Sequence, residues 1–227
     1  MKIVEIFRSI EGEGIRAGKL CTFVRSFGCN LRCSYCDSMY ANEGTGYTEM
    51  SLEDIVEKCK ELGTKCVTLT GGEPLIQPQI IDLIILLIQS GFEINIETNG
   101  SVNISRVRAE VFRRGVEYWN NLFFTVDYKS PSSLMKDRML MDNFIHDTRS
   151  LDVVKFVCGS DEDLQCMKDV VLQMRQHGSA ANIFVSPVFG QIELPKIVNF
   201  LMEHNLQEVR MQLQMHKIIW DPDTKGV

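Results

Sequence analysis

Three cysteines stand within eight residues, Cys29, Cys33 and Cys36, in the run Cys29-Asn30-Leu31-Arg32-Cys33-Ser34-Tyr35-Cys36. A tight loop with this C-x3-C-x2-C spacing can aim three thiolates at one point. Structural zinc closes its shell with four ligands, and the common iron–sulfur clusters take four cysteines. Three thiolates leave one coordination position free, which suggests chemistry at an open iron. A zinc knuckle with a distant fourth ligand is the other reading of the same spacing.

Further residues of chemical type punctuate the chain. Thr70-Gly71-Gly72-Glu73-Pro74 follows a strand-like run, and glycines let a backbone approach a ligand closely; an ordinary Gly-Gly turn is the plain alternative. Ser9-Ile10-Glu11-Gly12-Glu13-Gly14 carries two carboxylates two residues apart, able to bind a cation, accept amide hydrogen bonds or be solvated. Arg25 ends a strand just before the cysteine loop, where its planar fork suits a carboxylate. A salt bridge to Glu11 or Glu13 is its structural alternative. A lone His216 is weak as a signal, and His146, His177 and His204 lie in no motif and read as structural.

These residues need a frame. Apolar runs at residues 3–7, 20–27, 65–70, 92–97, 122–126, 153–157, 183–185 and 208–214 read as strands. Helical patterns fall at residues 51–62, opened by a capping-box-like Ser51-Leu52-Glu53-Asp54, and at 79–89, 105–115, 162–176 and 194–204. Pro195 suits the first turn of the last of these. The cadence is βα repeated about six times and predicts a parallel sheet with helices outside. The polar clusters 70–74, 97–100, 127–130, 186–187 and 212–217 sit where strands end. In β/α barrels that edge carries the active site. Residues 103–108 and 136–150 are expected to be surface excursions, and 220–227 carry no motif.

The chain has 227 residues, 44% hydrophobic and 24% charged, with a net charge of −6. Its length allows one large α/β domain or two small ones, with ample core, and its charge gives no general reason to bind nucleic acid or an anionic membrane. Residues 1–6 hold an early acid and no long apolar run, unlike a signal peptide. The most apolar stretch, 80–88, is too short to span a bilayer. Cys21, Cys59, Cys66, Cys158 and Cys166 are scattered and read as reduced structural thiols.

The chain resembles the radical S-adenosylmethionine (SAM) enzymes, in which such a cysteine run holds a 4Fe-4S cluster and SAM chelates the fourth iron. Within them, Phe7 to Gly14, Phe23-Val24-Arg25, Gly28 to Ser38, Thr70 to Pro74, Glu97-Thr98-Asn99-Gly100, Lys129-Ser130-Pro131-Ser132 and Gln214-Met215-His216-Lys217 resemble the 7-carboxy-7-deazaguanine synthases, in order and over nearly the whole chain. The resemblance implies one radical SAM domain over residues 1–227, a partial (β/α)6 barrel. It implies conversion of 6-carboxy-5,6,7,8-tetrahydropterin to 7-carboxy-7-deazaguanine with loss of ammonia, on the route to queuosine and other deazapurines. The implied cofactors are the 4Fe-4S cluster, SAM restored each turn through a 5′-deoxyadenosyl radical, and Mg2+. The implied setting is a cytoplasmic homodimer served by an electron donor such as a flavodoxin or ferredoxin, with neither nucleic acid nor membrane as partner. Carried over residue by residue, Cys29, Cys33 and Cys36 hold the cluster and Ser38 the magnesium. Ile10, Glu11, Gly12, Glu13, Arg25, Thr70 and His216 contact the pterin, with Arg25, Glu13 and His216 as catalytic residues. Gly72, Glu73, Asp127, Tyr128, Lys129, Ser186, Pro187, Val188 and Phe189 contact SAM. The chain departs from the family pattern at Glu11, where Gln is frequent, at Tyr35, where Trp is frequent, and at Ser38, where Thr is frequent. A glycyl-radical activating enzyme would use the same cluster and SAM on a protein substrate. A non-enzymatic metal module would need none of the polar clusters at the strand ends.

Overall fold

A computed structural model describes residues 1–118, 120–221 and 224–227. Among the described residues, nine strands form one sheet in the order β3-β1-β2-β4-β5-β6-β7-β8-β9. They are β1 (Lys2–Ile10), β2 (Leu20–Ser26), β3 (Thr48–Glu49), β4 (Cys66–Gly71), β5 (Glu93–Thr98), β6 (Leu122–Tyr128), β7 (Val153–Cys158), β8 (Asn182–Pro187) and β9 (Val209–Met211). From β2 through β9, skipping β3, every neighbour pair is parallel, while β1 runs antiparallel to β2 and β3. The sheet is an unclosed, partial barrel, as the βα cadence predicts. The strand expected at residues 3–7 is β1, but it runs antiparallel to β2, and the short edge strand β3 beside it is an addition that cadence does not contain.

Helices α1 (Leu52–Glu61), α2 (Ile80–Gln89), α3 (Ile104–Arg113), α4 (Asp161–Gln176) and α5 (Leu194–Glu203) cover the outer face, and α6 (His216–Ile219) follows β9. Ser51 caps α1, its Oγ accepting the Asp54 N–H at 3.1 Å, and Ser160 caps α4 from Asp163 at 3.2 Å. One expectation fails and another holds only in part. Residues 103–108 are not an excursion: they open α3, whose Ile104, Val107 and Arg108 are buried. Residues 136–150 are an excursion only in part: Lys136, Asp137, Arg138, Leu140 and Asp142 are exposed, but Asn143, Phe144, Ile145 and Thr148 are buried. The segment holds a π-helical turn, Asn143–Asp147, that replaces an α-helix between β6 and β7. Phe144 is fully buried there, and the Asn143 amide donates to the carbonyls of Gly100 and Val102, both at 2.9 Å. The segment looked like surface because its buried anchors, Asn143, Phe144, Ile145 and Thr148, stand among polar and charged residues.

The core lies between helices and sheet. Val67, Leu69, Ile94, Ile96, Leu122, Phe124, Val126, Val154, Phe156, Ile183 and Val185 are buried in it with Leu83, Ile84, Leu87 and Met167 of the helices. The alternate strand positions read Thr68 and Thr70, Asn95 and Glu97, Thr125 and Asp127, then Lys155. Strand side chains alternate between faces, so this polar set lines the concave side. Arg108 and Asp152 tie α3 to the start of β7 at 2.6 Å, both buried. The five cysteines outside the loop are free, as read from the sequence, and the fold buries all of them.

Candidate active site

The cysteine loop crosses the C-terminal ends of the parallel strands. Gly28 N–H donates to Ala41 at 2.8 Å, Glu73 N–H to Gly28 at 2.9 Å, and the Tyr35 hydroxyl to the Val157 carbonyl at 3.3 Å. Cys29, Cys33 and Cys36 all open on a cavity of about 510 Å3. The Cys29 sulfur accepts weak hydrogen bonds from Leu31 N–H at 3.4 Å and the Asn99 amide at 3.5 Å. Burial pushes the Cys33 thiol up while neighbouring Lys129 pulls it down. Among the described residues, no three His, Cys, Asp or Glu side chains converge as on one ion.

The glycine turn after β4 forms part of the cavity wall. Gly71 has φ +139°, and a Cβ on Gly72 would overlap the Gly28 carbonyl and the Asn42 amide oxygen. That amide oxygen is buried and unpartnered among the described residues, and Asn42 lines the cavity. The turn is therefore packed directly on the cysteine loop: Gly28 and Asn42 fill the space a side chain at residue 72 would need, so glycine is required for this close approach. Glu73 does not reach the cavity. It is fully buried and accepts from Thr98 Oγ1 at 2.8 Å, Asn99 N–H at 2.7 Å and Leu75 N–H at 3.0 Å. Burial raises its carboxyl to about 7. Its work is to lock the β4 turn to the β5 end.

The loop after β1 forms the cavity floor and spans the gap in the barrel. Gly14 N–H donates to Gln212 at 2.5 Å and Met215 N–H to Gly12 at 3.3 Å. A Cβ on Gly12 would meet His216 Nδ1 at 2.9 Å, so the imidazole rests on this loop. Burial lowers the pKa of His216, favouring the neutral ring. Glu13 points inward: its Oε2 lies 2.8 Å from Lys155 Nζ, and its Oε1 accepts the Ser186 hydroxyl at 3.0 Å. Glu11 points the other way, buried below the floor, where it accepts from the Thr68 hydroxyl. Burial, reinforced by Glu97, raises its carboxyl to about 7.

The strand ends supply the remaining wall. Asp127 faces Lys129 at 2.8 Å and Lys155 at 3.1 Å. Burial alone would raise its carboxyl, but the two ammonium groups outweigh that and hold it low. Glu97 accepts the Thr70 hydroxyl at 2.8 Å, and burial raises it. Arg25 pairs with Glu5, Nε to Oε1 at 2.7 Å, instead of Glu11 or Glu13; the Tyr40 hydroxyl shares that oxygen at 2.8 Å. The pairing uses the inner nitrogen and leaves the terminal fork toward the cavity that Arg25 lines. Ser38 lines it too, its hydroxyl 3.2 Å from Asp37.

Residues 23–201 match the radical SAM superfamily. The chain is 43% identical to the 7-carboxy-7-deazaguanine synthase of Clostridium acetobutylicum over 100% of its length and 99% of that protein. The chain belongs to the 7-carboxy-7-deazaguanine synthase family. The relative from Methanospirillum hungatei is 36% identical over 98% of this chain and 86% of its own. The crystal structure of QueE from Escherichia coli shares the fold, with TM-score 0.68, 21% identity, and 95% and 94% of the two chains covered. The chain is thus a radical SAM enzyme with an α/β partial barrel.

Against that membership, the structure brings together Ile10, Gly12, Glu13, Arg25, Ser38, Thr70, Gly72, Asp127, Lys129, Val188, Phe189, His216 and the three cysteines around one cavity. It keeps the side chains of Glu11, Glu73, Tyr128, Ser186 and Pro187 off the lining. Tyr128 packs edge-on against Phe144 in the core, and Pro187 borders an adjacent apolar groove. Sequence reading passed over Lys155, Asn42, Tyr40 and the tail residues 224–227, all of which line the cavity. Residues 222 and 223 of that tail lie outside the described residues. Lys155 was legible: one lysine inside Val153–Cys158, an otherwise apolar parallel strand, must find a buried counter-charge.

Proposed function

We propose that the chain converts 6-carboxy-5,6,7,8-tetrahydropterin to 7-carboxy-7-deazaguanine, releasing ammonia, in 7-deazapurine biosynthesis. The observation that carries this is one cavity shared by three free cysteines, a glycine cradle, an arginine fork and the Gly12–Glu13 floor. Cys29, Cys33 and Cys36 would hold the 4Fe-4S cluster, and Gly72, Asn42, Asp127, Lys129, Val188 and Phe189 would surround SAM. When bound, cluster and SAM would supply one-electron, hydrogen-abstracting chemistry. The protein's own part is to orient and shield. The Arg25 fork takes the substrate carboxylate, with Glu5 and Tyr40 fixing its plane. Thr70, Glu13 and the floor backbone hold the ring system, and neutral His216 hydrogen-bonds across it. Ser38 would hold Mg2+ through its hydroxyl oxygen, a hard donor suited to that ion.

No helix among the described residues is long and apolar enough to cross a membrane. We place the enzyme in the cytoplasm as a homodimer drawing electrons from a flavodoxin or ferredoxin, apart from nucleic acid and membrane. Anaerobic enzyme with the carboxypterin, SAM and reductant should form the deazaguanine and ammonia over many turnovers per SAM. Conversion of SAM to methionine and 5′-deoxyadenosine in step with product, or without product, would overturn the reading and favour an activating enzyme. Alanine at Cys29, Cys33 or Cys36 should abolish SAM cleavage.

A further inference from the structure

Among the described residues, Lys155 is the one cation paired with both Glu13 and Asp127. Its side chain is 9% exposed and rises from β7, with Nζ 2.8 Å from Glu13 on the floor and 3.1 Å from Asp127 on β6. Each acid has a second partner on its far oxygen, Ser186 at 3.0 Å for Glu13 and Lys129 at 2.8 Å for Asp127. Glu97 adds a third buried carboxylate within electrostatic range of the same ammonium. Gln214 lies 3.5 Å from the Glu13 oxygen that Lys155 holds. Three carboxylates thus face two ammonium groups, and only Lys155 bridges the floor to β6. Removing it leaves Glu13 with neutral donors alone and Asp127 with Lys129 alone. A buried carboxylate so stripped turns toward other donors or takes up a proton.

We propose that Lys155 is a positioning residue that fixes the direction and charge of Glu13 and Asp127 together, so that a single side chain preorganises the pterin subsite and the SAM subsite. This rests on the placement of pterin at Glu13 and SAM at Asp127 given above. A side chain serving one subsite would affect one ligand; a shared one affects both.

The test is equilibrium binding of each ligand to the cluster-loaded, unreduced enzyme, so that no turnover occurs. Lys155→Met, of similar length without charge, should weaken both SAM and the carboxypterin on the order of tenfold or more, the scale of a lost charge-assisted hydrogen bond. Glu13→Gln should weaken the pterin alone, and Asp127→Asn SAM alone. Lys155→Arg, which keeps the charge, should recover most of both affinities. On a Glu13→Gln background, Lys155→Met should cost pterin affinity little more, since the two act as a unit. This double variant also removes one charge of each sign, which keeps the test open where Lys155→Met alone does not fold. Loss of only one ligand in Lys155→Met, or full additivity with Glu13→Gln, refutes the shared role. Unchanged pterin affinity in Glu13→Gln refutes the pterin placement instead, so the two failures are read from different variants.

Discussion

Replacing Glu11 with Gln should stabilise the protein, and only above mildly acid pH. Glu11 is 2% exposed, and its carboxyl is raised from 4.5 to about 7, first by burial and then by Glu97. The folded state therefore holds a proton that the unfolded chain gives up near 4.5. Folding is unpenalised below that pH. The penalty grows as pH climbs from 4.5 to 7 and is complete above 7. At about 1.4 kcal/mol per pH unit this amounts to about 3 kcal/mol. Glutamine keeps an oxygen for the Thr68 hydroxyl and the shape of the floor, but has no charge to desolvate. Denaturant melts of wild type and Glu11→Gln at matched cluster content should nearly coincide at pH 4.5 and separate by about 2–3 kcal/mol at pH 8. Because Glu97 loses a like-charged neighbour, the gain belongs to the pair. A constant difference across that range, or a variant less stable at pH 8, would refute the argument that a buried, ionising carboxyl sits there.

Arg25→Lys keeps the charge and loses the fork, so substrate or transition-state stabilisation should fall by about 1–3 kcal/mol with cluster content unchanged. Normal turnover would leave Arg25 as a partner of Glu5 alone. Ser38→Ala should raise the magnesium requirement or lower turnover with the cluster intact; identical kinetics across magnesium concentrations would remove Ser38 from the metal. Asp152→Ala strips the buried Arg108 of its 2.6 Å partner and should destabilise the fold by about 3–5 kcal/mol, read from thermal or denaturant unfolding.

The sequence by itself determined the cysteine run and the fold class. Cys29, Cys33 and Cys36 are close in the chain, so local spacing carries their meaning, and strand and helix periods reflect side-chain directions that one chain segment already fixes. The strand-end placement of Thr70, Glu97 and Asp127 followed from the same βα order. Only the tertiary structure decided which partner each charge takes. Arg25 chose Glu5 across an antiparallel pair that the βα cadence does not contain. Glu11 and Glu13, two residues apart, point to opposite sides of the floor, one to Thr68 and one to Lys155. Glu73 was spent on fixing the next strand's end instead of on a ligand. Lys155 and Glu13 stand 142 residues apart in sequence, and their 2.8 Å contact exists because the floor loop crosses the unclosed barrel to β7. Pairings of that range are set by how the sheet curls and which gap a loop must fill, quantities that no local pattern of residues encodes.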